Sequence, residues 1–204
     1  MELQDALTQI ADIRLQMART RMFRGYRSGT TLFSAAVAVA TAVLQSAIIP
    51  NPSQHVLLYL CLWLAAAALC ITVIGTRILV RYWRDESSLE RELTVMAIEG
   101  FIPCIVVGAL LTFILASIAM STLWILPGLW TILFGLGLLA SRRILPRPMT
   151  FVGAFYLICG LLSILYAQFV AQFSPLAMGI PFAVGQTAAA AVLYFNLERV
   201  HAPQ

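Results

Sequence analysis

Residues 56–75 read VLLYLCLWLAAAALCITVIG, and the first charges after them are Arg77, Arg81 and Arg84. A helix of that length is about 30 Å long, the thickness of the hydrocarbon core of a bilayer. One such run can be the buried helix of a soluble domain. Five more like it decide otherwise: 31–49, 101–120, 123–140, 151–170 and 176–197. Each of the six runs has 18 to 22 residues and none contains Asp, Glu, Lys or Arg. Apolar residues make up 61% of the chain and charged residues 11%, where a soluble domain carries about 25% charged residues. Six runs in succession cannot all be buried inside a domain of 204 residues.

In hydrocarbon the backbone has no water to bond, so spanning segments of this kind must be helices. The expected fold is therefore an all-α integral membrane protein with six transmembrane helices. With interfacial residues included, the spans run over 31–49, 56–80, 100–120, 123–140, 151–170 and 176–197. Together they make one bundle over 31–200, preceded by a separate segment over 1–30.

The charges between the spans orient the bundle. All 13 basic residues are arginines. Arg14, Arg19, Arg21, Arg24 and Arg27 precede span one, Arg77, Arg81, Arg84 and Arg91 separate spans two and three, Arg142, Arg143 and Arg147 separate spans four and five, and Arg199 follows span six. The remaining connections, 50–55, 120–122 and 172–175, carry no Arg, Lys, Asp or Glu. Basic loops stay in the cytoplasm. Both termini are thus expected inside, with the spans arranged as three hairpins joined by tight outer turns. The first 30 residues are polar and lack a cleavable signal pattern, and the expected location is a bacterial inner membrane.

Within 1–30, Leu3, Ala6, Leu7, Ile10, Ile13 and Met17 recur at helical spacing, with acidic residues early and arginines late, as the helix dipole favours. This is read as an amphipathic helix at the cytoplasmic surface. Its candidate lipid or partner face comprises Leu7, Ile10, Ile13, Met17, Arg19, Arg21, Arg24 and Arg27. It lies on the inner leaflet or over the helix ends, or it docks a second protein or a second copy of the chain. Anionic lipids are the expected companions of the arginines. Nucleic acid is not expected, because no recognition module accompanies the charge. Ser87, with Glu90 three residues on, is read as a capping box that starts a helix leading into span three.

Small residues mark helix contacts. Ser34, Ala38, Ala42 and Ser46 repeat every four residues in span one, and Gly185 and Ala189 do so in span six. Such residues let helix backbones approach in lipid. Span four carries Pro127 and span six Pro181, each about six residues past its outer turn, and both helices are expected to bend there. Paired Pro and Gly interruptions can mark a transporter site, so a cavity between spans four and six would involve Pro127, Trp130, Pro181, Gln186 and Thr187. Buried Trp63 and Trp130 would each need a hydrogen-bond partner for the indole N–H.

No Asp, Glu, Lys, Arg or His lies deep in a span, which argues against ion-coupled transport. No catalytic constellation is present, and Cys61, Cys70, Cys104 and Cys159 form no CxxC. No enzyme activity, metal or cofactor is expected.

The start Gln9-Ile10-Ala11-Asp12-Ile13-Arg14, the segments Leu126-Pro127-Gly128-Leu129-Trp130 and Phe134-Gly135-Leu136-Gly137-Leu138, and the end Pro175 to Phe182 with Gly185-Gln186 together carry a resemblance. The chain resembles a group of six-helix bacterial inner-membrane proteins of about this length. That resemblance implies the six-helix layout and no activity. The functional expectation is a scaffold or sensor engaging a cytoplasmic or membrane partner, or a homo-oligomer. The other reading is a carrier or channel for an apolar or neutral small solute.

The orientation is testable directly. A cysteine at His55 should react with a membrane-impermeant maleimide added to intact cells, and one at Ser88 should react only after the membrane is opened. Labelling of Ser88 but not His55 from outside would reverse the topology.

Overall fold

The computed structural model describes residues 28–84, 88–169 and 173–199. The N-terminal face from Leu7 to Arg27 and the Ser87 cap lie outside these residues. Every regular element described is helical. The principal helices are α1 (Ser28–Ile48), α2 (Val56–Arg84), α3 (Ser88–Ile118), α4 (Leu126–Ala140), α5 (Met149–Phe169) and α6 (Pro175–Leu193). A 3-10 segment, Met120–Ile125, leads into α4, and a π-helical turn, Tyr194–Glu198, ends α6. Six helical stretches are long and apolar enough to cross a membrane: Ser28–Ile48, Val56–Val80, Ile98–Ile118, Met120–Arg143, Met149–Phe169 and Pro175–Asn196.

Two boundaries differ from the sequence reading. α2 and α3 run well past their apolar stretches, so most of the polar segment between them is helix. The apolar run of span four is part 3-10 and part α, with α4 itself starting only at Leu126.

That last boundary changes the role of Pro127. It stands in the first turn of α4, where its missing N–H has no helical partner to lose. The carbonyl one turn earlier, on Leu123, accepts the Leu126 N–H. Pro127 thus starts a helix rather than interrupting one. Pro181 does stand inside α6, and Pro103 inside α3. The α6 entry is fixed by Ser174, whose hydroxyl accepts the Leu176 N–H at 3.3 Å, and by Pro175 in the first turn.

The most intimate contacts are α4 with α5 and α1 with α6. Between α4 and α5 the contact is glycine on glycine. A Cβ added at Gly128 would lie 2.7 Å from the Gly160 carbonyl oxygen, and one at Gly160 would lie 2.7 Å from the Gly128 carbonyl oxygen. Seven residues along, a Cβ at Gly135 would lie 2.9 Å from the Gly153 carbonyl oxygen, and one at Gly153 would press on Leu139. Seven residues are close to two helical turns, so each helix presents both its glycines on one face. Antiparallel helices then meet at two levels with nothing between their backbones. Small residues serve this purpose in lipid, where dispersion contact and not water exclusion holds helices together.

On α1, the fully or largely buried positions include Thr31, Ala35, Ala38 and Gln45. Spacings of four and three follow the 3.6-residue turn. A strict four-residue repeat drifts off that face: Ser46, the last member of the expected stripe, is exposed and bonds the Val43 carbonyl of its own helix. On α6, Gly179 is one residue that meets α1: a Cβ there would reach the Ala42 methyl. Gly185 instead seats the ring end of Tyr156 from α5, and Ala189 packs with Leu138 and Leu193 in the same core cluster.

α2 and α3 are the least buried spans, and they barely touch one another. Tyr59, Leu60 and Trp63, in the first third of α2, are buried, but no residue from Leu64 to Val80 is.

The glycine contacts give a matched test. Gly160→Ala drives a methyl into backbone that has no flexible end to move and should cost about 1–3 kcal/mol. Gly75, in α2, has nothing within 4 Å of its added Cβ, and Gly75→Ala should be neutral or stabilise by up to about 1 kcal/mol through helix propensity. Thermal unfolding in detergent distinguishes the two, and equal effects would contradict the α4–α5 contact.

Candidate functional site

Two interior regions carry polar or aromatic side chains that merit a functional reading. The first is the space between α4 and α6. Phe134 of α4 is its centre. Its ring packs edge-on against Phe101 of α3 at 5.5 Å, Tyr156 of α5 at 4.8 Å and Phe182 of α6 at 5.3 Å. Tyr156 and Phe182 also meet, at 5.4 Å. Edge-to-face aromatic pairs at such spacings add about 0.5–1.5 kcal/mol each beyond their burial. Toward the 3-10 segment, the Thr131 hydroxyl donates to the Pro127 carbonyl at 2.8 Å and lies 3.9 Å from the Met178 sulfur of α6. Threonine and methionine thus join α4 to α6 one turn beyond the rings.

The five residues expected around a cavity here have separate fates. Pro127 and Pro181 are buried. Trp130 is half-buried, and its indole donates to Thr112 of α3 at 2.9 Å, while the Thr112 hydroxyl donates to the Gly108 carbonyl at 2.7 Å. Trp130 therefore ties α4 to α3. Thr187 is exposed and donates to the Ala183 carbonyl of its own helix at 2.7 Å. Gln186 is 5% exposed. It lies seven residues from Gly179, on the face that α6 turns to α1, and the Gly179–Ala42 contact places it level with Ala35 in an antiparallel register.

The second region was not anticipated. Gln45 of α1 is fully buried near the α1–α2 connection. Its carbonyl oxygen accepts the Trp63 indole N–H of α2 at 2.8 Å, and its amide nitrogen donates to the Phe173 carbonyl at 2.9 Å. One side chain thereby joins α1, α2 and the connection into α6. Phe173 has a left-handed backbone, with φ of 58°, a conformation a bulky residue holds only when its surroundings impose it. The Gln45 bond to its carbonyl and the Tyr59 ring at 4.9 Å supply those constraints. The Tyr59 hydroxyl is buried and has no hydrogen-bond partner among the described residues. The need of Trp63 for a partner was legible in sequence. So was the depth match: Gln45 and Trp63 both lie within about two helical turns of the connection between the first two spans.

Elsewhere the chemistry is sparse. Among the described residues no three His, Cys, Asp or Glu side chains cluster as metal ligands. The four cysteines are free, Cys61 exposed and the others half-buried.

These features define an all-helical protein whose six apolar helices fit a multi-pass membrane protein. Compared with known proteins, the chain matches no family model, no curated protein and no solved structure.

The Gln45 junction predicts opposite outcomes for neighbouring substitutions. Gln45→Leu strips partners from a buried indole and a buried carbonyl and should destabilise the protein by about 1–3 kcal/mol. Tyr59→Phe removes a buried hydroxyl that has no partner and should leave stability unchanged or raise it by up to about 1 kcal/mol. Thermal unfolding in one detergent measures both.

Proposed function

We propose that this is a non-enzymatic multi-pass protein of a bacterial inner membrane, with both termini cytoplasmic, that serves as a scaffold or sensor for a cytoplasmic or membrane partner. The observation that carries the reading is the filled space between α4 and α6. Thr131 against Met178 and Phe134 against Phe182 occupy the place where a solute path was expected. The glycine contacts hold α4 on α5 at backbone distance, which suits a fixed frame better than a rocking one. The partner-facing surface in this reading is the amphipathic segment before α1 together with the polar stretch at the α2–α3 connection. Photo-crosslinkers placed at Ile10 and Ile13 in native membranes test it. A discrete protein adduct, or a dimer of the chain, is expected at these positions. Adducts to lipid alone would contradict it.

The second reading is a carrier or channel for an apolar or neutral small solute through a path between spans four and six. One observation favours it: Gln186, a polar side chain, is buried within the bundle at 5% exposure. Gln186→Leu separates the two. The scaffold reading expects the variant to be about as stable as the parent, because a buried amide is replaced by an apolar group of similar size, with partner crosslinking retained. The carrier reading expects loss of solute flux in reconstituted vesicles.

A further inference from the structure

The connection between α4 and α5 is short, basic and built like a piece of core. Ser141–Arg143 form a 3-10 turn, Ile144, Leu145 and Pro146 are buried, and Met149 at the start of α5 is buried too. The backbone is pinned by bonds from Ile144 to Ser141, Met149 to Pro146, Thr150 to Arg147 and Phe151 to Pro148. From this fixed turn Arg142, Arg143 and Arg147 are all exposed. None of the three makes an ion pair with a described residue. Arg199, by contrast, lies over the Phe195 ring at 5.8 Å.

A topology signal needs only positive charge, and a loose loop provides that equally well. It does not require three guanidiniums on a turn whose intervening residues are locked into the core. Arginine is the side chain suited to phosphate, which it binds through two parallel N–H donors. The turn also lies at the junction of two candidate spans, Met120–Arg143 and Met149–Phe169, and the ends of spanning helices are where a chain meets lipid headgroups. Along the same two helices Leu136, Phe151 and Ile158 are exposed, Phe151 by 79%, and offer apolar contact for acyl chains.

We propose that Arg142, Arg143 and Arg147 form a binding site for the phosphate headgroup of an anionic membrane lipid, seated on the α4–α5 turn. The proposal rests on the orientation given above only for the leaflet it meets, the cytoplasmic one, where anionic lipid attracts basic segments. Binding in detergent does not depend on orientation.

The test is thermal unfolding of the full chain in a neutral detergent with added lipid. Cardiolipin or phosphatidylglycerol should raise the Tm by about 5 °C or more near saturation, and phosphatidylcholine should not. The single variants Arg142→Gln, Arg143→Gln and Arg147→Gln leave most of the basic charge in place, and each should reduce the shift. Arg199→Gln should leave it intact. Native mass spectrometry of the unmodified protein should show anionic lipid retained in preference to neutral lipid. An equal shift with phosphatidylcholine, an equal loss in Arg199→Gln, or the same shift from millimolar inorganic phosphate alone would overturn the proposal. Failure of the partner crosslinking described earlier would leave it standing.

Discussion

The rest of the fold depends on how closely α4 and α5 approach. In a bilayer the helices gain nothing from hiding apolar surface from water, since lipid is as apolar as leucine. What remains is contact at short range. Gly128 against Gly160 and Gly135 against Gly153 provide it at two levels. With the backbones this near, Ile132, Leu139 and Ile164 pack over the glycines of the opposite helix. Tyr156 is carried inward, where it can touch Phe134, Phe182 and the bare face of Gly185. α6 is then placed, and α1 follows it through Gly179 and Ala42.

The Gln45 junction solves a different problem. From Val56 to Val80, α2 is buried only at Tyr59, Leu60 and Trp63, so little apolar packing fixes it. Gln45 compensates through direction: it holds the Trp63 indole on one side and the Phe173 carbonyl on the other. Hydrogen bonds of this kind are worth only about 1 kcal/mol in membranes, but they specify one arrangement of three segments. Trp130 and Thr112 do the same for α3 and α4. Each lightly packed span is thus tied to a better-packed neighbour by one tryptophan–polar pair, with the tryptophan on α2 in one case and on α4 in the other.

Much of this was legible in the sequence, and the divide has a physical basis. Span number and extent follow from bilayer thickness, a constraint that acts on each segment alone. The demand of each tryptophan for a partner is likewise a property of one residue. Pairing is not, because it depends on which faces meet. Gly135 stood out as an interruption of span four, yet its meaning comes from Gly153, which nothing local marks. Gly185 looked like a helix contact and proved to be a seat for Tyr156. Pro127 was read as a bend within one helix, whereas it stands in the first turn of α4 after a 3-10 segment that hydropathy cannot distinguish from α-helix. Thr187, adjacent to Gln186, lies on the opposite side of the interface because 100° separates neighbours on a helix. The amphipathic face before α1 lies outside the described residues and stands on periodicity alone.

The most direct test of the central contact is solid-state NMR of the protein in lipid bilayers, with its 12 glycines labelled at Cα. The account predicts through-space cross-peaks linking Gly128 to Gly160 and Gly135 to Gly153, with Gly75 linked to no other glycine. Absence of both interhelical cross-peaks, with the glycines otherwise assigned and well resolved, would show that α4 and α5 do not meet backbone to backbone and would remove the foundation of the fold described here.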